Sequence, residues 1–180
     1  MALVLYVDGG SRGNPGPAGA GVVLTHENGD RVHLAGYFLG TQTNNAAEYY
    51  GLIRGLQRAA RANPDSLAIF ADSELLVKQI TGEYRVKSPA LAKLYEQVQI
   101  QLLKIKRWSI QHVRREGNSE ADRLANVAMD RRRDVIEFDI DVAVGLKEKS
   151  ESASAPSSSV LAKSNKISRA EQDSSDPPAA

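Results

Sequence analysis

The chain of 180 residues reads as an α/β domain on a mixed sheet with helices on both faces. Three observations predict this class. Three apolar runs open the chain, the second and third joined across Asn28-Gly29, a strong two-residue hairpin signal. Stretches of helical periodicity then alternate with short apolar runs, the order that makes crossover connections. The first run, "LVLYV", is apolar on both faces of a strand, as in a strand covered from both sides.

The elements follow in order. Residues 3–7, "GAGVVLT" and "RVHLAGYFL" are the first three strands, with "HENGD" as the turn between the last two. A helix is expected over about 45–62, where Tyr49, Leu52, Ile53, Leu56 and Ala60 form one stripe and Asn63-Pro64 ends it. "SLAIFA" is a short buried strand, and "SELLVKQI" is a short helix closed by Gly82. Ser88-Pro89 opens a longer helix with the stripe Leu91, Leu94, Tyr95, Val98, Leu102 and Ile105. "WSIQHV" is a strand with Trp108 read as core, and a last helix begins near Asn118. The sum is five strands.

The segment 134–144, "DVIEFDIDVAV", alternates with a period of two and reads as a half-buried strand. It can extend an edge of this domain or add to a partner's sheet, and the first is favoured. From 145 to 180 the chain holds 10 Ser, 6 Ala and 3 Pro, with five basic and five acidic side chains. Such a stretch buries too little apolar area to offset the entropy of ordering it, so a disordered tail is expected.

Composition limits the function classes. The net charge is +1, so overall charge selects no partner. The absence of cysteine excludes disulfides, thiolate metal sites and thiol nucleophiles. The first apolar run breaks at Asp8, too early for a signal-peptide core, and no later run could span a bilayer. The expectation is a soluble, cytoplasmic protein with no membrane partner.

Gly13, Gly16 and Gly19 follow the first strand, but their even spacing, interrupted by Pro15 and Pro17, does not run into a helix as a dinucleotide site requires. They make a strand-to-strand loop that leaves space beside Asp8 for a ligand's backbone. Asp72 follows its apolar run as Asp8 follows the first. If those strands are parallel neighbours, both carboxylates emerge at adjacent carboxyl ends, where ligands of α/β sheets bind. Glu48 lies one turn before Leu52 on the inward stripe, and Asp122 lies in the first turns of the last helix. Each acid has a plain structural alternative. Glu48 could complete a capping box begun by Asn45, Asp72 could N-cap a helix, Asp122 could answer a helix dipole, and Asp8 could begin a turn. Carboxylates about 4 Å apart repel by roughly 1 kcal/mol in water and about 4 kcal/mol at an effective dielectric near 20. A cluster therefore needs protons or a cation. All-oxygen donors point to Mg²⁺ or Mn²⁺, and two such ions form a known clamp for in-line phosphoryl chemistry.

The blocks "DGGSRGNPGPAGAG", "TQTNNAAEYYGLIRGL", "ADSELLVKQI" and "EGNSEADRLAN" resemble, in order and spacing, those of the type 1 ribonuclease H family, over roughly residues 3–130. The resemblance implies a ribonuclease H-like catalytic domain over 1–133, with a five-stranded mixed sheet whose first three strands are antiparallel. It implies endonucleolytic hydrolysis of the RNA strand of an RNA/DNA hybrid to 5′-phosphate products. Asp8, Glu48, Asp72 and Asp122 would be the catalytic and metal-binding acids for two ions per site, with Glu48 also accepting from a ribose 2′-hydroxyl. Asn14, Thr43, Asn44, Asn45 and Glu74 would be the substrate-binding positions, Thr43 at a DNA phosphate. A monomer is expected.

Three departures stand out from the family pattern. The loop "RREGN" lacks the histidine many members carry before the last acid, with Arg115 or Glu116 as partial substitutes. Glu74 stands where Gln is frequent. The region after the short helix has no room for the basic protrusion of many bacterial members, although Arg85, Lys87, Lys104, Lys106 and Arg107 add positive charge. The residues leave two other readings open: a hybrid- or duplex-binding module without catalysis, and a nuclease of broader specificity that also takes double-stranded RNA.

Overall fold

The computed structural model describes residues 1–140; the tail at 145–180 lies outside the described residues, as does the end of the 134–144 segment. The elements run β1 (Ala2–Ser11), β2 (Gly16–His26), β3 (Arg31–Gln42), α1 (Asn44–Arg61), β4 (Ser66–Ala71), α2 (Glu74–Ile80), α3 (Pro89–Leu102), β5 (Trp108–His112), a single 3₁₀ turn (Arg115–Asn118), α4 (Ser119–Arg131) and β6 (Val135–Asp139).

The sheet order is β5-β4-β1-β2-β3-β6. β1, β2 and β3 form an antiparallel meander, while β4 runs parallel to β1 and β5 parallel to β4. The sheet has six strands where five were expected, because β6 pairs antiparallel with the outer side of β3. Side chains reinforce that pairing. Asp134 accepts from Phe38 N at 2.9 Å, Glu137 takes both Arg123 nitrogens at 2.9 and 2.7 Å, and Asp139 accepts from Arg58 Nε at 2.8 Å.

The period of two sorts β1 and β4 into two faces. Leu3, Leu5, Val7, Leu67, Ile69 and Ala71 face the larger core, with Tyr49, Leu52 and Leu56 of α1 and Leu91, Leu94, Val98 and Leu102 of α3. Full burial of such side chains contributes about 1.5–3 kcal/mol each. On the opposite face Tyr6 stacks on Phe70 with centroids 5.0 Å apart, and Tyr6 joins Val23, Leu34, Ala121 and Leu124 beneath α4. Trp108 is 39% exposed and is therefore not the core residue its sequence setting suggested. It begins β5, the outermost strand on its side, so no further strand covers it.

The helix ends are set locally. Thr43 Oγ1 accepts from Ala46 N at 3.2 Å, Ser73 Oγ from Leu76 N at 3.2 Å, and Ser88 Oγ from Leu91 N at 3.4 Å. Pro89 occupies the first position of α3, where its missing N–H is not needed. α4 lies so close to β2 that a Cβ on Gly21 would come within 1.8 Å of Ala121 O. Gly21→Ala is therefore expected to lift α4 and to reduce unfolding stability by about 1–3 kcal/mol, as for other overpacked cores. Urea unfolding monitored by circular dichroism measures this, and an unchanged midpoint would contradict it.

Candidate active site

The site forms where β1 and β4 part. Their last parallel pair is Val7 with Ala71, and Asp8 and Asp72 are the next residues on each strand. By alternation both acids leave the large core and share the face of Tyr6 and Phe70. Glu48 reaches them from α1. That helix rests directly on β1, since a Cβ on Gly9 would lie 2.3 Å from Glu48 N. Carboxylate oxygens of Asp8, Glu48 and Asp72 all lie within 4.8 Å of one another.

Three of the simpler explanations for these acids fail on geometry. Thr43 caps α1, so Glu48 completes no capping box with Asn45. Ser73 caps α2, so Asp72 does not. Asp8 lies inside β1, paired with Gly21, and begins no turn. Asp122 does lie in the first turn of α4, where a helix dipole favours an acid. It stands outside the group of three, yet its charge acts on Asp8.

Burial dominates the electrostatics. Asp8 is 7% and Glu48 6% exposed. Burial first, then the charge of Asp72 and a hydrogen bond with it, then the charge of Asp122, push the Asp8 carboxyl up to about 8, against the Gly9 N–H that favours its ionised form. Glu48 is held well above the usual carboxylate range by burial, then by Asp8 and Asp72; the Gly9 N–H and Arg115 act the other way. Arg115 Nε lies 3.9 Å from Asp72 Oδ2, on a side chain 84% exposed. Glu48 Oε2 and Asp72 Oδ1 are buried with no hydrogen-bond partner among the described residues. Three converging carboxylates with unpaired buried oxygens, and no softer donor among them, fit a hard divalent cation.

A polar rim lies beside the acids. Asn14 Oδ1 accepts from Asn44 N at 3.2 Å, and Asn44 Oδ1 accepts from Ser11 N at 3.3 Å, so the loop after β1 is tied to the start of α1. Thr43, Asn44 and Asn45 are exposed there. Glu74 is apart from this rim, at the start of α2, and is paired with Lys78 Nζ at 2.7 Å.

A family model described as reverse transcriptase-like matches residues 6–128. The ribonuclease H of Pseudomonas savastanoi pv. phaseolicola is 31% identical over 144 residues, covering 72% of this chain and 93% of that protein. The chain belongs to the type 1 ribonuclease H family. The bifunctional protein Rv2228c of Mycobacterium tuberculosis is 46% identical over 131 residues, covering 72% of this chain and 36% of that protein. This ribonuclease H chain thus spans little more than a third of the first relatives it matches. Among solved structures, LC11-RNase H1 in complex with an RNA/DNA hybrid superposes with a TM-score of 0.69 at 38% identity, over 72% of this chain and 98% of that one.

Two residues beside the candidate site escaped sequence reasoning. Asn118 is 2% exposed and donates from Nδ2 to Val7 O at 2.8 Å. His112 Nε2 lies 3.2 Å from Asp72 O. Asparagine before a helix reads as a cap, and histidine on a strand reads as structural, so neither carried a distinguishing signal.

The raised carboxyls give stability a definite sign. A folded-state pKa above the unfolded value stabilises fully at pH below the ordinary carboxylate pKa, and that contribution is lost as pH rises through the folded pKa. In chelator, the contribution of Asp8 is therefore lost between about pH 4 and pH 8. Asp8→Asn should melt progressively higher than the parent across this interval. A melting-temperature difference that stays constant from pH 4 to pH 8 would contradict the assignment.

Proposed function

We propose that this chain cleaves the RNA strand of RNA/DNA hybrids endonucleolytically, leaving 5′-phosphates, with two Mg²⁺ or Mn²⁺ ions held by Asp8, Glu48, Asp72 and Asp122. The observation that carries this reading is the convergence of Asp8, Glu48 and Asp72 with two buried carboxylate oxygens lacking partners among the described residues. Asp8, Glu48, Asp72 and Asp122 would hold such cations, which when bound would supply activation of a water and stabilisation of the leaving 3′ oxygen of a phosphodiester. A module that only bound a duplex would gain nothing from buried negative charge facing a polyanion, which weighs against the non-catalytic alternative.

The protein's own groups have distinct tasks. Asp8, Glu48 and Asp72 are held on packed elements, so they are oriented before any ligand arrives. Glu48 also accepts from the ribose 2′-hydroxyl, the group that distinguishes RNA from DNA at one position. Asn14 Oδ1 is fixed by the Asn44 N–H and Asn44 Oδ1 by the Ser11 N–H, with both amide NH₂ groups unspent, which suits sequence-tolerant contacts at groove edges. Asn45 joins them. Thr43 Oγ1 already accepts from Ala46 N and keeps its own O–H for a phosphate oxygen. Lys78 offsets the charge of Glu74, which removes much of the repulsion a carboxylate there would exert on the hybrid. Arg115 supplies positive charge in the loop where many family members carry histidine. All these groups come from one chain, in keeping with action as a monomer. No helix among the described residues is long and apolar enough to cross a membrane, and we assign the protein to the cytoplasm.

Cleavage of end-labelled hybrid, double-stranded RNA and double-stranded DNA, with Mg²⁺, Mn²⁺ or EDTA, tests the proposal. Only hybrid should be cut, only with a cation, and Asp8→Asn should bind hybrid but leave it intact. Cutting that persists in EDTA or in Asp8→Asn would refute it, and cutting of double-stranded RNA would favour the broader nuclease. Of Arg85, Lys87, Lys104, Lys106 and Arg107, the last two are engaged with Asp65 and Lys104 with Gln101, which leaves Arg85 and Lys87 to meet phosphates in the region where many bacterial members carry the protrusion. Hybrid affinity should therefore be weaker than in a relative bearing the basic protrusion; binding curves across a salt series for the two proteins would expose equal affinities if this is wrong.

A further inference from the structure

Asn118 is placed unlike an ordinary helix cap. It ends the 3₁₀ turn and precedes the first residue of α4, where an asparagine side chain usually accepts from the helix's free N–H groups. It makes no such bond. Its Nδ2 donates instead to Val7 O at 2.8 Å, in a buried contact. Val7 is the last residue of β1 paired with β4 and immediately precedes Asp8. The amide thus takes a carbonyl at the point where the two acid-bearing strands separate. Its Oδ1 is buried and has no donor among the described residues. A side chain that forgoes a cap and leaves one pole unpaired is held there by the single bond to the Asp8 strand.

Asp122 follows Asn118 by four residues, one helical turn, on the same side of α4. It is the one acid of the four that lies outside the group within 4.8 Å. Its distance from Asp8 therefore depends on how the start of α4 is registered against β1. Packing of α4 on Gly19 and Gly21 holds the helix to β2. The Asn118 amide is the side-chain bond that ties its first turn to β1.

We propose that Asn118 is a positioning residue: its Nδ2–Val7 bond sets the start of α4 so that Asp122 serves the same cations as Asp8, Glu48 and Asp72. This rests on the proposed function, in which Asp122 is one of the cation-holding acids. Partners that orient metal-binding side chains typically change metal affinity or activity by about 10–100-fold when removed. Because α4 stays docked on β2, Asn118→Ala should fold.

The test is a double-mutant cycle with Asn118→Ala, Asp122→Asn and the pair, read in two ways: kcat and KM on labelled hybrid with Mn²⁺, and Mn²⁺ affinity by calorimetry. Asn118→Ala alone should lower kcat and Mn²⁺ affinity by about 10-fold or more, with KM for hybrid within about twofold. In the Asp122→Asn background it should lower neither further. Equal losses in both backgrounds, or a lower melting temperature with unchanged kcat and Mn²⁺ affinity, would overturn the positioning role. If Asp122→Asn itself leaves both readouts unchanged, the assignment of Asp122 as a cation-holding acid fails, and the role of Asn118 falls with it. Should Asn118→Ala not fold, Asn118→Ser carries the same cycle, since it deletes the amide while offering α4 a cap.

Discussion

Parallel pairing of β1 with β4 is the constraint on which the rest of this molecule depends. It brings the carboxyl ends of two buried strands side by side and places Asp8 and Asp72 just past their last shared pair. Two carboxylates so placed repel, and burial strengthens that repulsion. The opposing free energy comes from the packed faces of the same strands: Leu3, Leu5 and Val7 against α1, and Tyr6 and Phe70 on the side of α4. The site is a local destabilisation supported by a well-packed surround, which is the usual arrangement at functional positions.

Glycine sets how near the helices come. Gly9 lets the start of α1 lie on β1, so that Glu48 can reach Asp8, and Gly21 lets α4 lie on β2. A side chain at either place would separate a helix from the strand it serves and carry an acid away with it. The caps of α1 and α2 are equally economical, because Thr43 and Ser73 satisfy those helix ends and leave Glu48 and Asp72 with no cap to make.

β6 joins the two helices that carry acids. Glu137 holds Arg123, next to Asp122 on α4, and Asp139 holds Arg58 on α1. Asp139 also meets His33 Nδ1 at 2.9 Å, while His33 Nε2 meets the Tyr37 hydroxyl at 2.9 Å. The buried imidazole, 3% exposed, thus has both nitrogens satisfied. Burial, its leading influence, lowers its pKa, against the hydrogen bond and charge of Asp139.

Much of this was legible in the sequence because it is written in short-range pattern. The Asn28-Gly29 turn, the stripe from Tyr49 to Leu56, the Ser88-Pro89 start and the acids ending two apolar runs are all local signals. Their meaning as one site followed from the spacing of four blocks, since no single acid could be told from a cap or a turn residue. What the sequence by itself determined was which side chains could meet: alternation put Asp8 with Tyr6 and Asp72 with Phe70, and helical periodicity put Glu48 inward. What only the tertiary structure decided was how closely they meet and what else holds them. That three acids converge while Asp122 stands off, that Asn118 bonds a strand and not its own helix, and that Trp108 lies at an uncovered edge all depend on contacts between residues far apart in the chain. Periodicity specifies the face a side chain occupies, and only packing specifies its neighbour.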